Sequence, residues 1–494
     1  MIKDLTKETI GNETSQAFVR IFDSKYLTLK IFWILCLLCS GSLCIYLVSE
    51  TISQYFNYSV YTTTTIVNEM PAVFPKVTVC NSAFAVTEYA YEIIKDLNQK
   101  FFPDIDIFNQ SQMTNISYYE MQSLGTLFYA YLYSINLKSF SDASRKNLSH
   151  SLEDVLFECQ FNNEPCSASD FSWRWDPIYG NCYSFNSGFN ASGSPISYKQ
   201  SLLPGAIFGL QLNVYVGYYD KLNVFNTGFF TPYGMNAPFY GLNVLIENNT
   251  YLSDDKANVI ALNGGTVNYM SMQRRFTSKL PKPYSDCEID NIDPGHIDSP
   301  YFNLILNSPY QYNQELCVIQ CIQHQVIESC NCSKPFYLDL YNLSCLRDKE
   351  IYCAYSFTMN ISIIQGCILQ CPIECNSTQF TFALTSQTYM GDLFAALVKS
   401  SSTLIADFAN TPITAETASN KFVQLNLFYD SLTYSLSTDS PSMDIVTLLS
   451  NVGGTLGLFL GVSVLSLCEL VHVMVESFVL VKHRFKQKQN VLNF

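Results

Sequence analysis

LLSNVGGTLGLFLGVSVLSLCELVHVMVES, residues 448–477, overlaps a long uncharged run, Ile445–Cys468. Polar and small residues in such a run are costly or purposeful when the surroundings are lipid. Gly453, Gly457 and Gly461 recur every fourth residue, which lays a smooth stripe on one helix face and lets helices approach closely. The triplet Gly461-Val462-Ser463 has the small-x-small form that breaks a helix into extended backbone. Lipid permits this only where the freed carbonyls face water or ions. Glu469 and Glu476 follow Val462 by one and two heptads, with His472 between them on that face. A lone carboxylate facing lipid is expensive, but several copies around an oligomer axis make an acidic ring that attracts cations. Unaided, the segment reads as the lining of an oligomeric cation pore.

A second apolar run, Ile31–Ser49 (IFWILCLLCSGSLCIYLVS), holds no charge; Lys25 and Lys30 precede it and Glu50 follows. At about 20 residues it is long enough to span a hydrocarbon layer of ~30 Å. Its length and its long leader argue against a cleaved signal peptide, whose apolar core runs roughly 7–15 residues. Residues 482–494 hold Lys482, Arg484, Lys486 and Lys488 and no acid, residues 1–30 hold five basic and four acidic residues, and residues 50–444 hold 19 Lys and Arg against 36 Asp and Glu. The positive-inside bias therefore puts both ends in the cytoplasm and the long loop outside. The expected organisation is a cytoplasmic N-terminus (1–30), a transmembrane helix (31–52), an extracellular disulfide-rich domain (53–443), a second transmembrane helix with a selectivity filter (444–481) and a cytoplasmic C-terminus (482–494), in the plasma membrane.

The chain has 494 residues, a formal net charge of −14 and 14% charged residues. An acidic surface excludes a nucleic-acid partner, and an aromatic content of 14% excludes a disordered chain. Of the 18 cysteines, Cys36, Cys39 and Cys44 lie in the first run, Cys468 lies in the second, and fourteen lie in the loop. An even set outside the cell reads as seven disulfides. Zinc on Cys317-x3-Cys321 and Cys330-x-Cys332 would lack the usual CxxC spacing and sit in an oxidising compartment. Spacing alone leaves Cys80 free to pair near Cys182 or with the later cluster, whose density from Cys317 to Cys375 suggests a rod of helices stapled by successive bridges. Ten N-x-S/T sequons, at Asn57, Asn109, Asn115, Asn147, Asn190, Asn248, Asn331, Asn342, Asn360 and Asn376, support glycosylation outside the cell; Asn12 also matches but lies on the cytoplasmic side.

Within the loop, FPKVTVC (74–80), GLQLNVYVGYY (209–219), GLNVLIE (241–247) and FVQLNLFY (422–429) read as strands, and Ile93–Phe102, Tyr118–Tyr133 and Gln314–Ile327 read as helices. His150, His296, His324, His472 and His483 form no HExxH and no pair at ligand spacing, so each reads as a surface or interface residue. No GxSxG elbow occurs, and the glycines of GGTLGLFLG lack the strand and acidic residue of a dinucleotide site. No catalytic residue, metal or cofactor is expected.

Four motifs in order carry a family resemblance. FPKVTVCN (74–81) is similar to FPxVTxCN, GNCYSFNSG (180–188) to GxCYTFNSG, LPKPYSDC (280–287) to LPxPWxxC, and GGTLGLFLGVSVLSLCEL (453–470) to GGxLGLFxGxSxLxxxE. The chain resembles subunits of the degenerin, epithelial sodium channel and acid-sensing ion channel superfamily over nearly its whole length. The resemblance implies an α+β membrane protein: a trimer whose subunits have two transmembrane helices and a large extracellular domain with a β-sheet palm and a helical thumb. It implies disulfides Cys80–Cys182, Cys159–Cys166, Cys287–Cys375, Cys317–Cys371, Cys321–Cys367, Cys330–Cys353 and Cys332–Cys345. It also implies a selectivity filter at Gly461, Val462 and Ser463, the degenerin and amiloride position at Ser450, and an aromatic pair at Tyr58 and Tyr284 that couples thumb to spans. Three departures stand out. Gln16-Ala17 replaces the His-Gly gating motif, His472 replaces an aspartate three residues after Glu469, and Ser59-Val60 follow Tyr58 where acid-sensing members carry a histidine pair.

The expected function is a sodium-selective, amiloride-sensitive channel subunit, acting as a homo- or heterotrimer. A neuropeptide, protons or force would gate it from outside, with a peptide ligand the first expectation given the acidic loop. The alternatives are a surface receptor or silent subunit that needs a partner, an ATP-gated two-span trimer, for which the loop lacks a basic cluster, and an ecto-enzyme, for which no motif stands.

Overall fold

A computed structural model of the chain describes residues 26–83, 85–101, 103–104, 106–109, 141–176, 179–222, 241–249, 259–289, 299–308, 310–334, 340–343, 345, 347–357, 361–388, 391–409 and 411–461. The main elements in chain order are α1 (Leu27–Phe56), β1 (Val60–Asn68), β2 (Lys76–Asn81), α2 (Glu88–Phe101), β3 (Leu156–Phe161), β4 (Phe171–Asp176), β5 (Gly180–Phe185), β6 (Leu210–Tyr215), β7 (Gly241–Glu247), β8 (Val259–Asn263) and β9 (Thr266–Ser278), then α3 (Gln314–Cys330), α4 (Ile361–Gln370), β10 (Asn376–Thr388), β11 (Phe422–Pro441) and α5 (Ile445–Leu460). The described residues fall into two compact units, one drawn from Met1–Thr63 and Asp439–Phe494 and one from Thr64–Thr438.

In the first unit α1 outruns the expected 31–52 segment at both ends. Its 30 residues make it, among the described residues, the one helix long and apolar enough to cross a membrane. Its surface is largely uncovered: Phe32, Leu35, Leu38, Ile45 and Tyr46 are all exposed.

The second unit is built on two sheets that share a core. One is seven-stranded, in the order β10–β9–β11–β6–β3 followed by the two-residue strand Glu164–Pro165, with β1 also paired to β11. The other is five-stranded, in the order β8–β7–β2–β5–β4. Phe74, fully buried just ahead of β2, meets Phe161 at 5.0 Å, Tyr429 at 5.8 Å and Phe185 at 6.4 Å, drawing rings from both sheets into edge contacts. Such pairs add about 0.5–1.5 kcal/mol each beyond burial. Across β2 and β7, Lys76 and Glu247 are directly opposed and form a buried ion pair at 2.8 Å.

Seven disulfides hold this unit: Cys80–Cys182, Cys159–Cys166, Cys287–Cys375, Cys317–Cys371, Cys321–Cys367, Cys330–Cys353 and Cys332–Cys345. These are the pairs that the family resemblance implies. Cys80 and Cys182 face each other across β2 and β5. Cys317 and Cys321 lie one turn apart on α3, as Cys367 and Cys371 do on and just past α4, so the two bridges clamp the helices antiparallel.

Several elements differ from the sequence expectation. The helix expected over 93–102 begins at Glu88, because the Thr87 hydroxyl caps it by accepting from Ala90 N at 3.2 Å. The helix expected over 314–327 runs on to Cys330, where Asn331 closes it in the left-handed conformation (φ 58°). The strand expected over 209–219 stops at Tyr215, beyond which Val216 N donates to Lys421 O at 2.7 Å. The strand expected over 422–429 continues to Pro441, because its polar second half still has β9 on one side and β1 on the other. The helix expected over 118–133 lies outside the described residues.

Gly209 enters β6 against the backbone of β11; a Cβ there would sit 2.1 Å from Leu427 O and 2.6 Å from Phe428 Cβ. Gly209→Ala is therefore expected to destabilise the protein by about 3 kcal/mol, the upper range for overpacking. The check is a lower midpoint for thermal loss of the monodisperse chromatographic peak of the full-length protein in detergent.

Candidate functional site

The apolar C-terminal stretch enters helix α5 at Asp444, whose carboxylate accepts from Thr447 N at 2.8 Å and caps the first turn. Leu448, Val452, Thr455, Leu456, Phe459 and Leu460 are partly buried, whereas Ser450, Gly453, Gly454 and Gly457 are exposed. The two sets lie on different sides of the helix, as a 3.6-residue period requires. Against α1, Ser40 Oγ donates to Phe459 O at 2.5 Å. On the open side, a Cβ added at Gly453 or Gly454 would meet nothing within 4 Å. Within the single chain, Gly453 and Gly454 thus leave a small-residue face on this side of α5.

Helix α5 stops at Leu460, inside the apolar run. Gly461 takes a left-handed conformation (φ 68°), and its N–H bonds Gly457 O at 3.1 Å. Glycine adopts this cap without the penalty that a Cβ brings. The break therefore falls at the first residue of the Gly461-Val462-Ser463 triplet. Val462, Ser463, Glu469, His472 and Glu476 lie outside the described residues, as do Gln16 and Ala17.

Tyr58 follows α1 with φ 48°, and its ring lies 6.2 Å from those of Tyr55 and Phe56. Tyr284, in the second unit, closes a turn by donating its N–H to Pro281 O at 3.1 Å, next to the cis Lys282–Pro283 bond. Of the sequon asparagines, Asn57, Asn109, Asn147, Asn331, Asn342 and Asn376 are exposed, Asn190 and Asn248 are half-buried, and Asn115 and Asn360 lie outside the described residues.

Buried charges in the second unit had no local sequence signal. Arg274 on β9 is 6% exposed, pairs with Glu69 at 2.6 Å, and lies over the rings of Tyr429 (4.9 Å) and Tyr434 (5.5 Å) of β11. Burial pushes the Tyr429 hydroxyl well above the usual tyrosine value, with Arg274 opposing. His150, expected at the surface, is instead buried, with Nε2 2.8 Å from Asp407 Oδ2; the Tyr215 hydroxyl donates to the same oxygen at 3.0 Å. Lys421 is held below the ordinary lysine value by burial, against the opposing pull of Asp220 at 3.0 Å. Only the tertiary fold brings these partners together, since each pair is far apart in sequence. His324, by contrast, stands partly exposed between Tyr301 and Tyr341, at 5.7 and 6.0 Å.

A family model described as the amiloride-sensitive sodium channel matches residues 10–473 of the chain. The chain is 26% identical over 373 residues to epithelial sodium channel subunit alpha of Mus musculus, covering 73% of this chain and 49% of that protein. It is 28% identical over 364 residues to the alpha subunit of Cavia porcellus (71% and 48%). To epithelial sodium channel subunit beta of Canis lupus familiaris it is 27% identical over 345 residues (68% and 50%). The chain spans about half the length of the curated relatives it matches.

Removing Arg274 leaves the Glu69 carboxylate without its cation. Arg274→Gln is expected to cost about 3 kcal/mol, and Glu69→Gln less because Glu69 is partly solvated. The double variant Glu69→Gln/Arg274→Gln should be more stable than the sum of the single losses predicts. Thermal midpoints of the four proteins in one detergent check this.

Proposed function

Because the chain belongs to the amiloride-sensitive sodium channel family, we propose that it is a sodium-permeable, amiloride-sensitive channel subunit of the plasma membrane. The observation that carries this reading is α5, an apolar helix with an open small-residue face that ends at a left-handed glycine inside the apolar run. In the proposed arrangement, residues 31–52 and 444–481 span the membrane, residues 1–30 and 482–494 are cytoplasmic, and residues 53–443 lie outside with glycans on their sequons. Three related or identical subunits bring their α5 faces to a common axis. Backbone carbonyls at Gly461, Val462 and Ser463 replace part of the hydration shell of Na⁺. Glu469 and Glu476 concentrate cations at the inner mouth, and protonation of His472 opposes them. Ser450 lies 11 residues, about three turns, before Gly461 on the open face, where a bulky side chain favours the open state and amiloride acts nearby. Tyr58 and Tyr284 transmit movement of the outer domain, driven by a peptide, protons or force, to the spans.

Two-electrode voltage clamp of cells expressing the chain alone tests the reading. The expected result is an inward current that disappears when bath sodium is replaced by a large cation, is blocked by amiloride, and grows severalfold in Ser450→Phe. Silence of both proteins, with both detected at the surface, overturns the homomeric channel and favours an obligate partner subunit, in keeping with Gln16-Ala17 in place of His-Gly.

A further inference from the structure

We propose that a groove on the second unit, between the N-terminal turn of α3 and strand β10, cradles the proximal sugars of N-glycans that the chain carries on Asn248 and Asn376. The proposal rests on the reading that this unit faces the secretory lumen and then the outside of the cell. The groove encloses about 680 Å³, and both asparagines line it. That volume lies within the roughly 300–1,000 Å³ typical of small-ligand sites.

Two sequons far apart in the chain meet here. Asn248 Nδ2 donates to Thr378 Oγ1 at 3.4 Å, and Thr378 is the hydroxyl residue of the sequon that begins at Asn376. Asn376 Oδ1 accepts from Ser278 Oγ at 2.9 Å, which anchors its carboxamide at the start of β10. Asn249 pins the turn after β7 by donating to Phe74 O at 2.8 Å and to Asn186 O at 2.9 Å, so Asn248 is held at the groove.

The rest of the lining suits sugars. Asn376, Thr378 and the partly exposed Phe380 and Phe382 alternate along one face of β10, and Phe276 adds a partly exposed ring from β9. Ring faces are electron-rich and attract the C–H face of a pyranose. Gln314 and Gln379 add planar amides that suit sugar hydroxyls. A glycan here also answers a second need. Among the described residues β10 is the outer strand of its sheet, and an uncovered edge of 13 residues is a template for pairing with other chains.

The modification occurs on the nascent chain. The asparagine Nδ2 bonds to C1 of the first sugar, the bond from C1 to the diphosphate oxygen of the lipid carrier breaks, the diphosphate leaves with the electron pair, and one amide proton is lost to base. One N–H remains on each modified asparagine.

The test is site-resolved glycopeptide mass spectrometry on the full-length protein from animal cells, sampled during digestion of the folded protein with peptide-N-glycosidase. Asn331 and Asn342, exposed and outside the groove, are the internal controls. The expected result is occupancy at Asn248 and Asn376, with glycans of the unprocessed oligomannose type. Release should be roughly tenfold slower than at the controls, the factor that about 1.4 kcal/mol of groove contact corresponds to. Phe380→Ser should bring the release rate toward that of the controls. The wild-type rates decide the matter even if that variant misfolds. Modified controls with unmodified Asn248 or Asn376, or equal release at all four sites, overturn the cradle alone. Absence of glycan at every sequon overturns the topology reading, and the cradle with it.

Discussion

Strand β11 is the constraint on which the rest of the second unit depends. Its 20 residues pair parallel with β9 and antiparallel with β6, and the chain continues from it through Ser442, Met443 and Asp444 into α5. A parallel pair needs a long crossover, because the chain must return to the same end of the sheet before running alongside. Residues 279–421 are that crossover, and they contain α3, α4 and β10. Five of the seven disulfides have both ends within it. Cys287–Cys375 closes a loop of 88 residues, which in the chain-entropy account removes about 4–5 kcal/mol of unfolded-state freedom. A long excursion that would otherwise be entropically costly is thus made into a stapled body.

The same pairing explains why charge is buried in the sheet. The β9–β11 register shifts between Met272 and Arg274, where residues 430–433 of β11 bulge out. Gln273 follows the bulge and donates to Asp430 at 2.6 Å. Beyond the shift Arg274 stands opposite Tyr434, with Tyr429 on the other side of the bulge, so its guanidinium lies between two rings and reaches Glu69 just past β1. An isolated buried charge is prohibitive, and one with a carboxylate and two ring faces is not. The pair ties strands that adjoin the two apolar helices in sequence, since β1 follows α1 and β11 precedes α5.

What could be read from the chain, and what could not, follows from the range of the interactions. The strand pattern located β2, β6, β7 and the first half of β11, because nearly every position of those strands is buried and their apolar, β-branched and aromatic residues record it. The second half of β11 has no such record. TYSLSTDSP (433–441) is polar and half-exposed, and it is a strand only because β1 and β9 flank it. The disulfide pairing was not legible from spacing, which left Cys80 with two options; the family resemblance supplied it. At the candidate site the break at Gly461 was legible, since a small-x-small triplet in an apolar run has few other uses. The partners of Arg274, His150 and Lys421 were not, because a sequence shows a charge but not the strand that will bury it. The meeting of Asn248 with the sequon of Asn376 was hidden for the same reason.

The length of α5 bears on the proposed pore. Sixteen residues at ~1.5 Å each make a helix of about 24 Å, shorter than a hydrocarbon layer of ~30 Å. If Asp444, charged and solvated as a cap, marks the outer surface, the break at Gly461 falls within the layer rather than at its far side. The last four carbonyls of a helix have no partners within it. One is taken up by the Gly461 N–H, which reaches Gly457 O at 3.1 Å. Phe459 O accepts from Ser40 Oγ at 2.5 Å. In the proposed pore, a carbonyl left over at Leu458 or Leu460 would need a partner that lipid does not provide. Water or a cation on a subunit axis would supply it, and the open face of Ser450, Gly453 and Gly457 gives a close-packed axis room to form. In the proposed pore the helix end and the small-residue face are thus two parts of one arrangement: the face would bring the helices together, and the end at Gly461 would turn backbone oxygen toward what passes between them.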